Sequence, residues 1–595
     1  MIERKKEMGR DRVSRLVSWG HWFAFFNGFL AMIVGVRYIE TVGAPESWIG
    51  WGYLAISTLG HFSFLAFIVY LVVLFPITLL LPYSKILRGL AAFAATLSLC
   101  ILLYDTLIYD DYGLHLSPFV FDIAWADLNA LLQGTSYIVT PLGIIILELT
   151  AANFLWKRIE KIRKSNYGPK VVLVIGLCFV SSHLIHIWAD AADITEITRL
   201  DDAYPLSYPA TARSFMESHG IEKSSMGQDT NKLQSTLNYP IKPLQCSADA
   251  DTNMLIIAID GFRADLVDKE TMPFLYTYGQ ANHQFKQHLS GGNMHASGMF
   301  SLLYGLQGSY IRAEDLNYRP PVFTQELVKL GYNLARFAPE MDSQVPQAIY
   351  QDFTSHLHPL SNGVADADIQ SIDSFNQWQT QQTKPWLALI NLQSPDSYDT
   401  PVGFLGIETV KPAKPLKPAQ KVLFNQYRQS LNFIDKQLQR LLEHLPNSTF
   451  VMITGVSGKA FTSDNDNQRG NLSPANVHVP MIIHWPDMQY DKTVSYSSSH
   501  YGVIPTLMTQ LLDCTNKATD YSAGRSILQP QSDNWTYIGD NLVFGIYQED
   551  EITVIDRHGK YRIYARDYSK QLHNKKISAP ELIQVMREGR RFYNH

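Results

Sequence analysis

Cysteine is scarce in this chain, with four in 595 residues. None of the four falls in a CxxC pair or at a Cys/His zinc spacing, so a structural zinc site is excluded. Charge is also sparse. Charged residues make up 18% of the chain and the net charge is -5. No long basic run follows residue 170, which argues against nucleic acid as a partner. Internal repeats are absent, and membrane-embedded ionisable groups are few. Both absences argue against a transporter. The mean hydropathy of -0.08 averages two unlike parts: 190 strongly apolar residues, then an ordinary globular composition.

Five apolar stretches, roughly 19–39, 57–82, 86–108, 137–156 and 170–188, are long enough to cross a bilayer. The first is too long for a cleaved signal, and no small-residue cleavage site follows it. Positive charge alternates between the connections. Arg4, Lys5, Lys6, Arg10, Arg12 and Arg15 precede the first stretch, Lys85 and Arg88 mark the second turn, and Lys157, Arg158, Lys161, Arg163, Lys164 and Lys170 the fourth. Residues 41–56 and 109–136 carry neither Lys nor Arg. Cations collect on the cytoplasmic side, so the N-terminus is expected inside and everything after about residue 189 outside the cytoplasm. An oxidising compartment permits Cys246 and Cys514 to pair, although two cysteines do not reveal their separation. Glu148 lies mid-span and calls for a hydrogen bond from another span, the alternative being a proton or ion route. Arg37 and Asp105 lie near span ends, where they are expected to reach the interface.

The chain divides into a membrane domain at 1–189, an interfacial junction and linker at 190–250, and a soluble domain at 251–595. In the junction, Tyr208, Thr211, Ala212, Arg213, Ser214 and Phe215 combine interfacial aromatics, a helix-capping hydroxyl and one cation. From 253 onward apolar runs and amphipathic segments alternate. Strands are predicted at 254–259, 332–338, 386–392, 449–454, 480–485 and 542–547. Helices are predicted at 271–281, 297–304, 322–330, 368–381, 416–444 and 501–513. This alternation predicts an α/β domain with a mostly parallel sheet covered by helices, followed by a small antiparallel addition at 537–571. Asp260 follows the first strand, at the carboxyl edge where such sheets place their chemistry.

The order of Asp260, SGGNMHASGMFSLLYG at 290–305, FID at 433–435, VMITGVSG at 451–458, VHVPMIIHWP at 477–486 and SHYGVIPTLM at 499–508 resembles the alkaline phosphatase/sulfatase superfamily. The resemblance is strongest to the phosphoethanolamine and lipoteichoic-acid transferases. With five spans and YPATARSF at the junction, the whole layout is similar to a family of inner-membrane proteins of Gram-negative bacteria. The resemblance implies a periplasmic sulfatase-like domain on a five-span anchor. Active superfamily members need an acidic metal ligand after the first strand, a nucleophile at a helix N-terminus, and an Asp-His pair after the strand near 450. This chain keeps Asp260 but has Met294 at the nucleophile position and Val456-Ser457 at the Asp-His position. His295, His478 and His500 remain nearby and, with Asp260, are the candidates for a residual divalent metal.

The domain is therefore expected to be a degenerate hydrolase, a pseudoenzyme without catalytic residues or cofactor. The resemblance implies binding of lipopolysaccharide through its lipid A phosphates at residues 208–215. It also implies control of lipid A synthesis by restraining proteolysis of the deacetylase LpxC. The implied partner is LapB-like, binds the spans, and works with the protease FtsH. One departure is Arg213-Ser214, where a related protein has two consecutive arginines. The competing readings are a metal-dependent phosphatase or phosphoethanolamine-type transferase acting on lipids, and a cardiolipin carrier. The charge pattern makes a direct prediction. In cells with a permeabilised outer membrane, an impermeant thiol reagent should label a cysteine placed at Asp251 but not one placed at Lys161.

Overall fold

The computed structural model describes residues 2–42, 44–45, 47–80, 83–112, 115–116, 136–165, 167–192, 194, 197–198, 200, 203–207, 236–247 and 251–593, less 314–315, 341–344, 413–415, 462–469, 487–492, 531–533, 541 and 557–559. The chain forms two compact units, Met1–Gln234 and Ser235–His595.

In the first unit five helices are long and apolar enough to cross a membrane: Val13–Ile39, Trp48–Leu80, Ser84–Asp110, Val139–Ser165 and Gly168–Asp190. Lipid tails are as apolar as leucine, so spans associate through close packing and polar links rather than hydrophobic burial. Gly60 shows the close packing. A Cβ there would lie 2.8 Å from the Phe179 backbone, so the second and fifth spans meet at this glycine. Among the polar links, Trp19 Nε1 donates to the Ala152 carbonyl at 3.1 Å, and Asn27 Nδ2 donates to Glu148 Oε2 at 3.2 Å. Asp105 is buried against protein, accepting from Tyr38 Oη at 2.5 Å, His115 Nδ1 at 2.8 Å and the Leu116 backbone N–H. Three donors make that burial tolerable where solvent would otherwise be needed. The second span is α-helical over Trp48–Val69, π-helical over Tyr70–Leu74 and α-helical again over Phe75–Leu80. Pro76 follows the π segment and lacks the N–H that the carbonyl four residues earlier would use, so the ladder opens there.

The second unit is built on an eight-stranded sheet of β1 (Met254–Ile259), β2 (His283–Leu289), β3 (Asn333–Pro339), β4 (Thr354–His358), β5 (Trp386–Leu392), β6 (Phe450–Gly455), β7 (Met481–His484) and β8 (Thr493–Ser499). The order is β4-β3-β5-β1-β6-β7-β2-β8. β1 pairs in parallel with both β5 and β6, and only the contacts of β7 with β6 and β2 are antiparallel. The continuous apolar run of β1 is explained by its position. Met254, Ile256 and Ala258 enter the core on one face, and Leu255, Ile257 and Ile259 the core on the other. Each such aliphatic side chain contributes roughly 1.5–3 kcal/mol on full burial. The amphipathic helix Pro418–Leu442 turns Leu431, Ile434, Leu438 and Leu441 into the second core. Its Asp435 accepts from the N–H groups of Phe274 and Leu275 at 3.0 and 2.8 Å, capping the helix Pro273–Ala281. A four-stranded antiparallel sheet follows, of β9 (Trp535–Gly539), β10 (Val543–Gln548), β11 (Glu551–Asp556) and β12 (Tyr561–Ala565).

The stretch assigned to a linker at 190–250 is divided between the units. Leu237 bridges to Tyr593, the Ile241 N–H donates to Asp520 at 2.7 Å, and Cys246 is disulfide-bonded to Cys514. That bond closes a separation of 268 residues. Closing so long a loop removes much unfolded-state entropy, and Cys514→Ser should destabilise the unit by ~2–5 kcal/mol. The expected measurement is a lower urea midpoint for the full chain in detergent.

Candidate functional site

Parallel strands present their loops at one edge, and here the loops after β1, β5 and β6 meet the helix His295–Tyr304. Asp260 continues β1, donating its N–H to the Leu392 carbonyl at 2.8 Å. Its carboxylate is buried. His295 Nδ1 lies 2.8 Å from Oδ1, and Asn391 Nδ2 is 3.4 Å from Oδ2. Asn391 is a site residue that sequence pattern alone does not single out. Its one signal was a polar residue inside the apolar run 386–392.

Met294 is the N-cap of the helix His295–Tyr304, with extended backbone (φ -124°, ψ 151°) and no side-chain cap. A thioether neither attacks phosphorus nor binds a hard cation well. The neighbouring hydroxyls do not take over. Ser290 Oγ donates to the Val456 carbonyl at 2.6 Å and Ser297 Oγ to the Met294 carbonyl at 3.2 Å, and both are buried. Val456 has no exposed surface and belongs to the core, and its N–H donates to the Ile259 carbonyl at 2.8 Å. The Ser457 carbonyl accepts from the Phe262 N–H at 2.6 Å. A Cβ on Gly298 would sit 2.1 Å from the Val456 carbonyl oxygen, so the helix rests directly on the end of β6.

The histidines are dispersed. His500 is fully buried, its Nδ1 3.3 Å from Ser301 Oγ and its Nε2 3.4 Å from Thr454 Oγ1; burial lowers its pKa to about 4. His478 Nε2 lies 2.9 Å from the Lys286 carbonyl, and burial lowers its pKa as well. His288, unremarked in the sequence, lies with its ring centroid 5.2 Å from that of His500, the two rings tilted, and bonds Ser498 at 2.9 Å. Of the four metal candidates, the structure joins only Asp260 and His295. Among the described residues no group of three or more His, Cys, Asp or Glu could hold a metal ion. Among the described residues, Asp260 and His295 alone do not make up the metal centre that the superfamily resemblance implies. Lys459, after β6, instead forms an ion pair with Asp396, after β5, at 2.7 Å. Tyr208, Thr211, Ala212, Arg213, Ser214 and Phe215 lie outside the described residues.

Folded His500 is held neutral, whereas unfolded His500 takes up a proton below about pH 6.5. Its contribution to stability is complete above that pH and is lost as pH falls toward about 4. The stability difference between wild type and His500→Gln should therefore shift against wild type by on the order of 3 kcal/mol across this window, measured by denaturant unfolding.

Residues 5–246 match the family described as Domain of unknown function (DUF3413), and residues 252–513 match the Sulfatase family. The chain is 29% identical to the inner membrane protein YejM of Salmonella typhimurium over 602 residues, covering 98% of each chain. It is 28% identical to an uncharacterized protein of Haemophilus influenzae over 576 residues, covering 94% of each. Among solved structures, an alkaline phosphatase superfamily protein from Vibrio parahaemolyticus matches 60% of this chain and 88% of its own, with 14% identity and a TM-score of 0.46.

Proposed function

For a YejM-like inner-membrane protein that joins a DUF3413 segment to a sulfatase-superfamily domain, we propose a regulatory rather than a catalytic role. The soluble domain is a scaffold, and the working site is the junction beside the spans. One observation carries this reading. The helix N-terminus that would present a nucleophile presents Met294, and the strand end that would present metal ligands presents buried Val456. Asp260, the one acidic ligand retained, is committed to His295.

The junction holds what a lipid phosphate at a membrane surface requires. Arg213 supplies a guanidinium that can take two phosphate oxygens at once. Tyr208 and Phe215 suit the headgroup level, and Thr211 suits a helix start whose N–H groups favour an anion. On this reading the ligand is lipopolysaccharide, held through its lipid A phosphates on the periplasmic side. Occupancy sets how strongly the spans engage a LapB-like partner, and through it how fast FtsH degrades LpxC. Ser214 replaces a second cation with a neutral donor, which weakens charge pairing but retains a hydrogen bond.

The test is complementation of a depleted strain with the full chain carrying Arg213→Glu or Asp260→Ala, measuring LpxC and lipopolysaccharide. Arg213→Glu is expected to shift LpxC several-fold while Asp260→Ala leaves it at the wild-type level. Wild-type behaviour from Arg213→Glu would remove the junction as the sensor. Loss of control in Asp260→Ala, together with stoichiometric metal in the purified wild type, would restore the enzymatic reading.

A further inference from the structure

The soluble unit carries an apolar feature at 401–422 that its core does not explain. Residues 401–410 run beside the helix Pro418–Leu442, hydrogen-bonded to it over 406–410 and packed on it through Phe404. The Gly406 and Ile407 N–H groups donate to Gln429 Oε1 at 2.9 and 3.2 Å, and the Val410 N–H donates to Asn425 Oδ1 at 2.7 Å. Asn425 Nδ2 donates back to the Val410 carbonyl at 3.0 Å, and Arg428 donates to the Glu408 carbonyl at 3.0 Å. The Phe404 ring packs against Phe433, 5.6 Å away, with the Lys436 ammonium 4.7 Å from its centroid.

A loop held this firmly should bury its apolar side chains, yet two of them point outward. The Phe404 N–H closes a turn on the Pro401 carbonyl at 3.0 Å, with Gly403 at φ +82°, a backbone conformation suited to glycine. Val402 stands at the tip of this turn fully exposed, and Leu405 just after it is 90% exposed. Val422, on the adjoining helix, is 67% exposed. Lys411, Lys417 and Lys421 are exposed on the same loop and helix start, and none makes an ion pair among the described residues. The opposing exposed charge on this segment is Glu408.

We propose that this loop and helix start form a docking surface for an anionic bilayer. Val402 and Leu405 enter the headgroup region, and Lys411, Lys417 and Lys421 meet the lipid phosphates. Exposed apolar tips and, farther along the same loop and helix, exposed lysines supply the two attractions that hold peripheral segments on charged membranes. Part of the loop's ordering entropy is already met by the turn at 401–404, the Phe404–Phe433 packing and the bonds of 406–410 to Asn425, Arg428 and Gln429. Tethering supplies the rest. The same chain carries five spans, so a bilayer is always present at high effective concentration and a weak contact suffices. This surface is independent of the junction around Arg213.

The experiment uses the full chain with Cys100→Ser and Cys178→Ser, reconstituted into vesicles. Leu405→Cys is labelled with an environment-sensitive fluorophore. Phosphatidylcholine vesicles are compared with vesicles containing phosphatidylglycerol, and Tyr318→Cys, exposed elsewhere on the unit, is the control. The expected result is a blue shift at position 405 in the anionic vesicles alone. It should fade as salt is raised and be lost when Lys411, Lys417 and Lys421 are changed together to Gln. No shift, an equal shift without anionic lipid, or an equal shift at position 318 would overturn the proposal.

Discussion

The contact of Gly298 with the Val456 carbonyl determines the carboxyl edge of the soluble domain. With no side chain at 298, the helix His295–Tyr304 settles on the end of β6, which in turn is zipped to β1 through the Val456 N–H and the Ile259 carbonyl. That closeness brings a helix N-terminus to the strand ends, an arrangement well suited to an anion. Here the same closeness is used for packing. The Val456 side chain fills the core, Ser290 is bonded to the Val456 carbonyl, and Asp260 orients His295.

The two units solve burial differently. β1 is apolar on both faces and gains from leaving water, so its strand can be recognised by composition alone. The spans gain nothing by hiding one leucine behind another. Their specificity comes from Gly60 against Phe179, from Trp19 on a carbonyl, and from Asn27 on Glu148. Such links are few and fall at isolated residues, which gives them little weight in a hydropathy profile.

The same contrast explains what could be read from the chain. The strand positions of β1, β3, β5, β6 and β7 were legible because buried parallel strands are short apolar runs. β2, β4 and β8 were missed. HQFKQHL, TSHLH and TVSYSSS are polar, since β4 and β8 lie at the two sheet edges and β2 sits next to one of them. At the site, Asp260, Met294 and Val456 were legible from their order along the chain. The fate of His500 and His478 was not, because histidine reads alike as ligand or as buried hydrogen-bonding group until its neighbours are placed. The partners of Asp105 are hidden from the sequence for a related reason. Nothing nearby in the sequence announces that Tyr38, 67 residues away, bonds to it. The loop at 401–410 also escaped notice, because Val402 and Leu405 are ordinary core residue types and only the fold shows them facing outward.

The π-helical segment Tyr70–Leu74 has a consequence for how the second span can change over time. An α-helix advances about 100° per residue, so one residue more or less normally turns everything beyond it to a different side. A π turn is a place where an additional residue is already absorbed. Deleting one residue between 70 and 74 would return the span to plain α-helix while leaving both flanking portions on their present faces. This is the one stretch of the second span where a change in length need not change what each face meets.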